Sequence, residues 1–206
     1  MWTPTALASE AREYRGKVWR VVEAQHRIST NRLAETLADQ TRLEVLAEAA
    51  KPDLPKSARG LHYLLASPFR YGHGSASRFR RADDRPGLFY ASETEATPIA
   101  ETAYWRLRFY SRSPGFEPSS ATSEHTSFTA NIATPSALDL TRPPFAENYS
   151  AWTDPVDYTA CQELAALARE ASLTVIRSVS SRDPGHGCNV VVLDPAGFAS
   201  PPPTIS

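Results

Sequence analysis

Four stretches of this chain carry residue types that can do chemistry together. A loop holds Ser77-Arg78-Phe79-Arg80, and a short apolar run holds Leu88-Phe89-Tyr90. Thr97-Pro98 is followed by Glu101, and Ser180-Ser181-Arg182-Asp183 lies at a strand end. A fixed carboxylate stabilises positive charge that develops on a neighbouring atom. An arginine presents a planar fork of donors suited to phosphate or carboxylate. A tyrosine offers a flat face for stacking, and a serine hydroxyl can both donate and accept. Each residue also has an ordinary reading. Glu101 close to a helix start is favourable for the helix dipole alone. Tyr90 in an apolar strand suits a core, Arg78, Arg80 and Arg81 suit a solvated run, and Ser180 suits a strand end.

Other chemistries find less support. The histidines His26, His62, His73, His125 and His186 form neither HxH nor HExxH spacing, so no metal site is expected. Gly185 and Gly187 do not make GxGxxG, there is no P-loop, and Gly72-His73-Gly74 and Gly185-His186-Gly187 read as turns. Cys161 and Cys188 are far apart, which argues against a disulfide framework or a zinc ribbon and for packing roles in a reducing cytoplasm. Lys+Arg number 22 against 23 Asp+Glu, so overall charge does not point to nucleic acid. The N-terminal stretch lacks the basic start and apolar run of a signal peptide, and no stretch approaches the roughly 20 apolar residues of a membrane helix. No membrane association is expected.

The elements that must position these residues follow from local pattern. Lys17–Ala24 is rich in β-formers and reads as a strand. Ser29, Thr30 and Asn31 are candidate caps for a helix carrying Leu33 and Leu37. Thr41 with Glu44 reads as a capping box for a second short helix ended by Pro52. These leucine-rich helices suit either core or a docking surface. Arg85-Pro86-Gly87 reads as a turn into the Leu88–Tyr90 strand. Thr97 as cap and Pro98 at the first position predict a helix with Glu101 in its first turn. Its aromatics Tyr104, Trp105, Phe109 and Tyr110 suit a core. Residues 126–133 and 136–140 read as two strands, and Asp154-Pro155 reads as the opening of a helix with apolar residues at helical spacing. Residues 173–181 and 189–193 read as a strand pair around a turn, and the tail SPPPTIS as frayed or extended. Strands mixed with helices, without regular βαβ alternation, define an α+β domain.

The run PFRY…SRFR…GLFYAS…AETAY, followed by SSRDPGHGCNVVVLDP, resembles the RES-domain family over roughly residues 60 to 195. That resemblance implies a single compact domain with a mixed, mostly antiparallel sheet similar to ADP-ribosyltransferases, plus N-terminal helices. It divides the chain into an N-terminal strand and helical region (1–56), an NAD-binding catalytic core (57–198) and a Pro-rich tail (199–206) within one folded unit. It implies a toxin of a toxin–antitoxin pair that consumes NAD⁺ as substrate, passing ADP-ribose to a protein, phosphate or water. The implied partner is an antitoxin with an Xre-type helix-turn-helix domain, with a protein acceptor as a further possibility. The implied site residues are Arg78, Tyr90 and Glu101 for catalysis, with Ser180, Arg20 and Arg80 alongside Arg78 and Tyr90 in NAD binding. Many members have Gly-Arg-Trp where this chain has Ser77-Arg78-Phe79, which leaves Arg78 and Arg80 both open. Many have Ser-Val-Arg where Ser180-Ser181-Arg182 stands, which leaves Ser178, Ser180 and Ser181 open.

In that scheme Glu101 would stabilise the sugar cation left when nicotinamide departs. An arginine would hold the pyrophosphate, Tyr90 would stack on nicotinamide, and the serine would bond the ring amide or orient the glutamate. The alternative is a nucleic-acid-binding module built on the basic and aromatic Arg70–Arg85 segment.

Overall fold

The computed structural model describes residues 2–23, 36–71, 74–115 and 123–205. In chain order they form α1 (Pro4–Ser9), β1 (Arg12–Glu23), α2 (Leu37–Ala49), α3 (Tyr63–Arg70), β2 (Phe89–Ser92), α4 (Ala96–Ser111) and β3 (His125–Asp139). There follow α5 (Tyr149–Thr153), α6 (Thr159–Glu170), β4 (Val175–Val179), β5 (Cys188–Val192) and β6 (Phe198–Ile205). The strand order is β1-β2-β5-β4-β3-β6, and β1 also pairs with β3, so the pairings return on themselves. Only β3–β4 is parallel, and α6 lies in the connection between them. The mixed, mostly antiparallel α+β expectation holds.

A hydrophobic cluster forms on each side of this sheet. On one, Leu7 of α1, Trp152 of α5 and Cys161, Leu164 and Ala168 of α6 meet Leu138, Ile176 and Val191. On the other, Leu65 and Phe69 of α3 meet Phe89, Phe128, Val175 and Val190. Burying one such side chain contributes about 1.5–3 kcal/mol. Cys161 is a packing residue, its thiol donating weakly to the Ala151 and Trp152 carbonyls.

Several local readings change for identifiable reasons. The segments 126–133 and 136–140 form one strand rather than two. Pro135 sits in it where the register against β1 slips, between Arg12↔Ala137 and Tyr14↔Thr134. Proline has no N–H for the ladder, and a bulge tolerates it. The tail is extended but paired: β6 runs antiparallel to β3, with Phe198 edge-on to Phe69 and Phe89. Thr41 does not cap a second helix. Thr36 caps α2 by accepting from the Asp39 N–H, and the Thr41 hydroxyl donates back to the Leu37 carbonyl within the same helix. No residue of α2 is buried, and Leu37, Val45 and Leu46 are exposed rather than core. The candidate caps Ser29, Thr30 and Asn31 lie outside the described residues. Asp154-Pro155 does not open a helix. Asp154 Oδ1 accepts from the Val156 and Asp157 N–H groups, and α6 starts only at Thr159.

The decisive change concerns α4. It starts at Ala96, so Glu101 stands in the second turn and not the first. Thr97 does not cap its own helix, because its hydroxyl donates to Asp183 Oδ2 at 2.8 Å in the turn between β4 and β5. The same carboxylate accepts from the Gly185 and Gly187 N–H groups. These bonds, that from Thr97 foremost, hold the Asp183 carboxyl below its ordinary range. The helix is thereby tied to the hairpin turn. Gly187 permits this approach, since a Cβ there would lie 2.0 Å from Thr97 Oγ1 and 2.7 Å from Asp183 Oδ2. Gly187→Ala is expected to destabilise the fold by about 1–3 kcal/mol through overpacking. Gly185→Ala, where the nearest atom would be 3.2 Å away, is expected to lower the melting temperature much less. Parallel thermal melts of the two variants check this.

Candidate active site

A cleft of about 650 Å³ opens between β1, β2 and β5, the cleft-side face of α4, and the loops around Arg78, Tyr158 and Arg182. Its geometry begins in the turn before β2. Ser77 and Arg80 exchange backbone hydrogen bonds, which makes a tight turn. Phe79 buries itself in the core beneath it, and Gln162 of α6 donates to the Ser77 and Arg80 carbonyls. The turn therefore holds Arg78 and Arg80 in different environments.

Arg78 lines the cleft. Its Nη1 donates to the Trp152 and Asp154 carbonyls at 2.9 Å each, its Nη2 donates to the Ser181 hydroxyl, and the guanidinium lies over the Tyr158 ring. Arg80 is buried in the turn, donating to the Ser75 and Arg81 carbonyls, and is not part of the cleft wall. Of the two arginines left open by the sequence, Arg78 is the one that lines the cleft.

Tyr90 also lines the cleft, but its hydroxyl points into the turn. It shares a 2.8 Å hydrogen bond with Ser77 Oγ and accepts from the Phe79 N–H at 3.1 Å. Burial pushes its phenol pKa upward. Its ring remains part of the wall, while its oxygen fastens the loop that carries Arg78. Arg20 enters from β1, donates from Nη1 to the Tyr90 carbonyl at 2.9 Å and lies over the Phe89 ring. Desolvation lowers it to about 10, so it keeps its charge at neutral pH.

Glu101 faces these arginines from α4. Its Oε1 accepts from Ser180 Oγ at 2.5 Å and from Asn189 Nδ2 at 2.6 Å. Ser180 is held in turn, its oxygen accepting from the Arg182 and Asp183 N–H groups. Among the three serines left open, Ser180 reaches the glutamate and Ser181 reaches Arg78. Ser178 is buried, and its hydroxyl has no hydrogen-bond partner among the described residues.

The fold also brings to the cleft residues beyond the implied set of Arg20, Arg78, Arg80, Tyr90, Glu101 and Ser180, among them Arg182 from the stretch singled out at the strand end. Asn189 bonds Glu101. Arg182 lies over the Tyr104 ring and donates to the Pro155 carbonyl and the Tyr158 hydroxyl. Trp105 and Phe109 are not core: they are 44% and 63% exposed and line the cleft. Helical spacing from Glu101 was the available signal for these two, because i+4 and i+8 share a face. No comparable signal marked Tyr158.

Charge in the cleft is uneven. Arg20, Arg78, Arg106 and Arg182 line it, and Glu101 is the one carboxylate in its wall among the described residues. Arg106 pairs with Glu23. The other three are held by carbonyls, hydroxyls and rings, with no ion pair among the described residues. Arg177, outside the cleft, is the contrast, since Glu93 and Asp139 both pair with it. In the Arg70–Arg85 segment the arginines differ in environment, with Arg81 and Arg85 exposed. Arg70 is tied to Glu48 and the Pro52 carbonyl, and Arg80 is buried. No group of three or more potential metal ligands occurs among the described residues, and no helix among them is long and apolar enough to cross a membrane.

An α+β domain with an arginine-rich cleft and one anchored glutamate is thus the class defined by fold and site. The RES domain model matches residues 54–206, and the chain belongs to the RES-domain family. A solved structure with the same fold is a chain of the M. tuberculosis MbcT–MbcA toxin–antitoxin complex. It is 12% identical, with a TM-score of 0.54, over 97% of this chain and 88% of that one. No curated protein matches the sequence.

The Tyr90 hydroxyl yields a separable prediction. Tyr90→Phe keeps the ring in the wall but leaves the Phe79 N–H without its partner. An unsatisfied buried donor costs about 1–3 kcal/mol. A lower melting temperature, with the far-ultraviolet circular dichroism unchanged, is the expected result.

Proposed function

We propose that the protein binds NAD⁺ in this cleft and breaks the bond between the nicotinamide nitrogen and ribose C1′. The observation that carries this reading is Glu101: the one carboxylate among the described residues of the wall, held through one oxygen, where every other charged lining side chain is an arginine. The dianionic pyrophosphate suits Arg20, Arg78 and Arg182, whose charges no carboxylate neutralises among the described residues. The Tyr90 ring supplies a flat face for the nicotinamide.

In the reaction the C1′–N bond breaks with its electron pair, and the pyridinium leaves as neutral nicotinamide. Positive charge grows at C1′, where the Glu101 carboxylate opposes it. An acceptor X–H then attacks C1′ and loses its proton, which gives ADP-ribosyl-X. Water, phosphate and a protein side chain all satisfy this balance. Nicotinamide is a good leaving group, so the scheme needs no second carboxylate as acid.

Glu101→Gln preserves shape and removes the charge. The loss should fall on the transition state rather than on bound NAD⁺. It amounts to about 3 kcal/mol, or roughly a hundredfold in nicotinamide release. The melt should change little, because the glutamine oxygen can still accept from Ser180 and Asn189 and the position lies beyond the first helical turn, where the dipole acts. Nicotinamide release, measured with water alone, with phosphate and with lysate, checks the reaction and distinguishes its acceptor. A parent protein that releases none under any of these conditions overturns the reading.

Membership of the RES-domain family supports a biological role as a toxin, held in check by an antitoxin with an Xre-type helix-turn-helix domain. Expression of the active chain alone in bacteria is expected to arrest growth, and Glu101→Gln is expected to relieve the arrest. Unimpaired growth with abundant active protein in the cells would count against the toxin role.

A further inference from the structure

Glu101 belongs to a helix with little burial of its own: among α4 residues, only Thr97 and Pro98 are buried. A carboxylate on such a helix needs an external reference to hold one rotamer, and two groups on the β4–β5 hairpin supply it. Ser180 Oγ and Asn189 Nδ2 both donate to Oε1. No hydrogen bond to Oε2 occurs among the described residues, so the second oxygen is left for the substrate side.

Asn189 is the reference that the sheet itself holds. It lies within β5, in register with Ser92 of β2 on one side and Ser178 of β4 on the other. Its Oδ1 accepts from Ser92 Oγ at 2.7 Å. A carboxylate can only accept, so the amide must direct its NH₂ to Glu101 and its oxygen to Ser92. The amide therefore has one orientation, fixed at both ends by the sheet. Side chains locked in this way are what keep a reacting group within the narrow range of productive geometry.

We infer that Asn189 is the positioning residue for Glu101: through the Ser92–Asn189–Glu101 chain, the sheet sets where the carboxylate meets ribose C1′. This inference rests on the NAD⁺-cleaving reading above. Asn189 also lines the cleft, but both ends of its amide are spent on Glu101 and Ser92, so the role assigned to it acts through Glu101. Small displacements of a catalytic group lower rates by up to about a hundredfold while binding is retained.

The test is a double-mutant cycle on the full chain, read as kcat and KM for nicotinamide release beside a thermal melt. Asn189→Ala is expected to lower kcat about tenfold or more, with KM within about twofold of the parent. Asn189→Asp keeps the shape and the Ser92 bond but has no donor, and it should be at least as impaired. In a Glu101→Gln background, Asn189→Ala should cost almost nothing further, because groups that act as one unit are not additive. A purely architectural asparagine would instead give equal fold losses in both backgrounds, which overturns the inference. So does a parent-like kcat in Asn189→Ala. If Asn189→Ala fails to fold, Asn189→Asp completes the cycle in its place. A parent that releases no nicotinamide overturns the proposed reaction, and this inference with it. A parent that turns over while the variants match it overturns the Asn189 role alone.

Discussion

The structure depends on two sets of hydrogen bonds between the start of α4 and the β4–β5 hairpin. Thr97 donates to Asp183, and Ser180 and Asn189 donate to Glu101. Without them α4 would rest on the sheet mainly through its first turn, and its carboxylate would have no fixed position. The close approach needs a residue without a Cβ at 187, a buried Thr97 hydroxyl and a hairpin turn short enough to bring Asp183 back. These requirements come from distant parts of the chain and meet only after the strands have paired.

A second constraint is electrostatic. Charged side chains leave water at a cost unless they are paired or hydrogen-bonded. The protein meets this cost in two ways. Arg177 is satisfied by carboxylates and ties strands together. Arg20, Arg78 and Arg182 are satisfied by backbone carbonyls, hydroxyls and aromatic faces, which fix the guanidinium without cancelling its charge. The cleft is therefore both ordered and cationic, a state that suits an anionic ligand. Tyr158 couples two of these arginines, with Arg78 over its ring and Arg182 donating to its hydroxyl.

The same economy explains residues with two roles. Tyr90 presents a ring to the cleft and spends its hydroxyl on the turn beneath Arg78. Arg78 walls the cleft and clasps the loop at 152–154. Substitution at either position mixes ligand contact with architecture.

By itself the sequence determined the class of fold, the β4–β5 hairpin, a helix opening near Thr97-Pro98 and the order of Arg78, Tyr90, Glu101 and Ser180. These are local: period, turn residues and motif order are written in consecutive positions. Tertiary structure decided the rest. Arg78 and Arg80 are equivalent by type, and only the turn packed on Phe79 and Gln162 turns one to the cleft and buries the other. Pro135 reads as a strand break, yet pairing with β1 carries the strand through it as a bulge. The proline-rich tail reads as loose, yet the free edge of β3 orders it. Trp105 and Phe109 read as core because they are apolar, and their exposure follows from α4 lying over a cleft. Asn189 had no mark of its own in the sequence. Its role exists only because β5 pairs between Ser92 and Ser178 and so brings an amide within 2.6 Å of a glutamate 88 positions earlier in the chain.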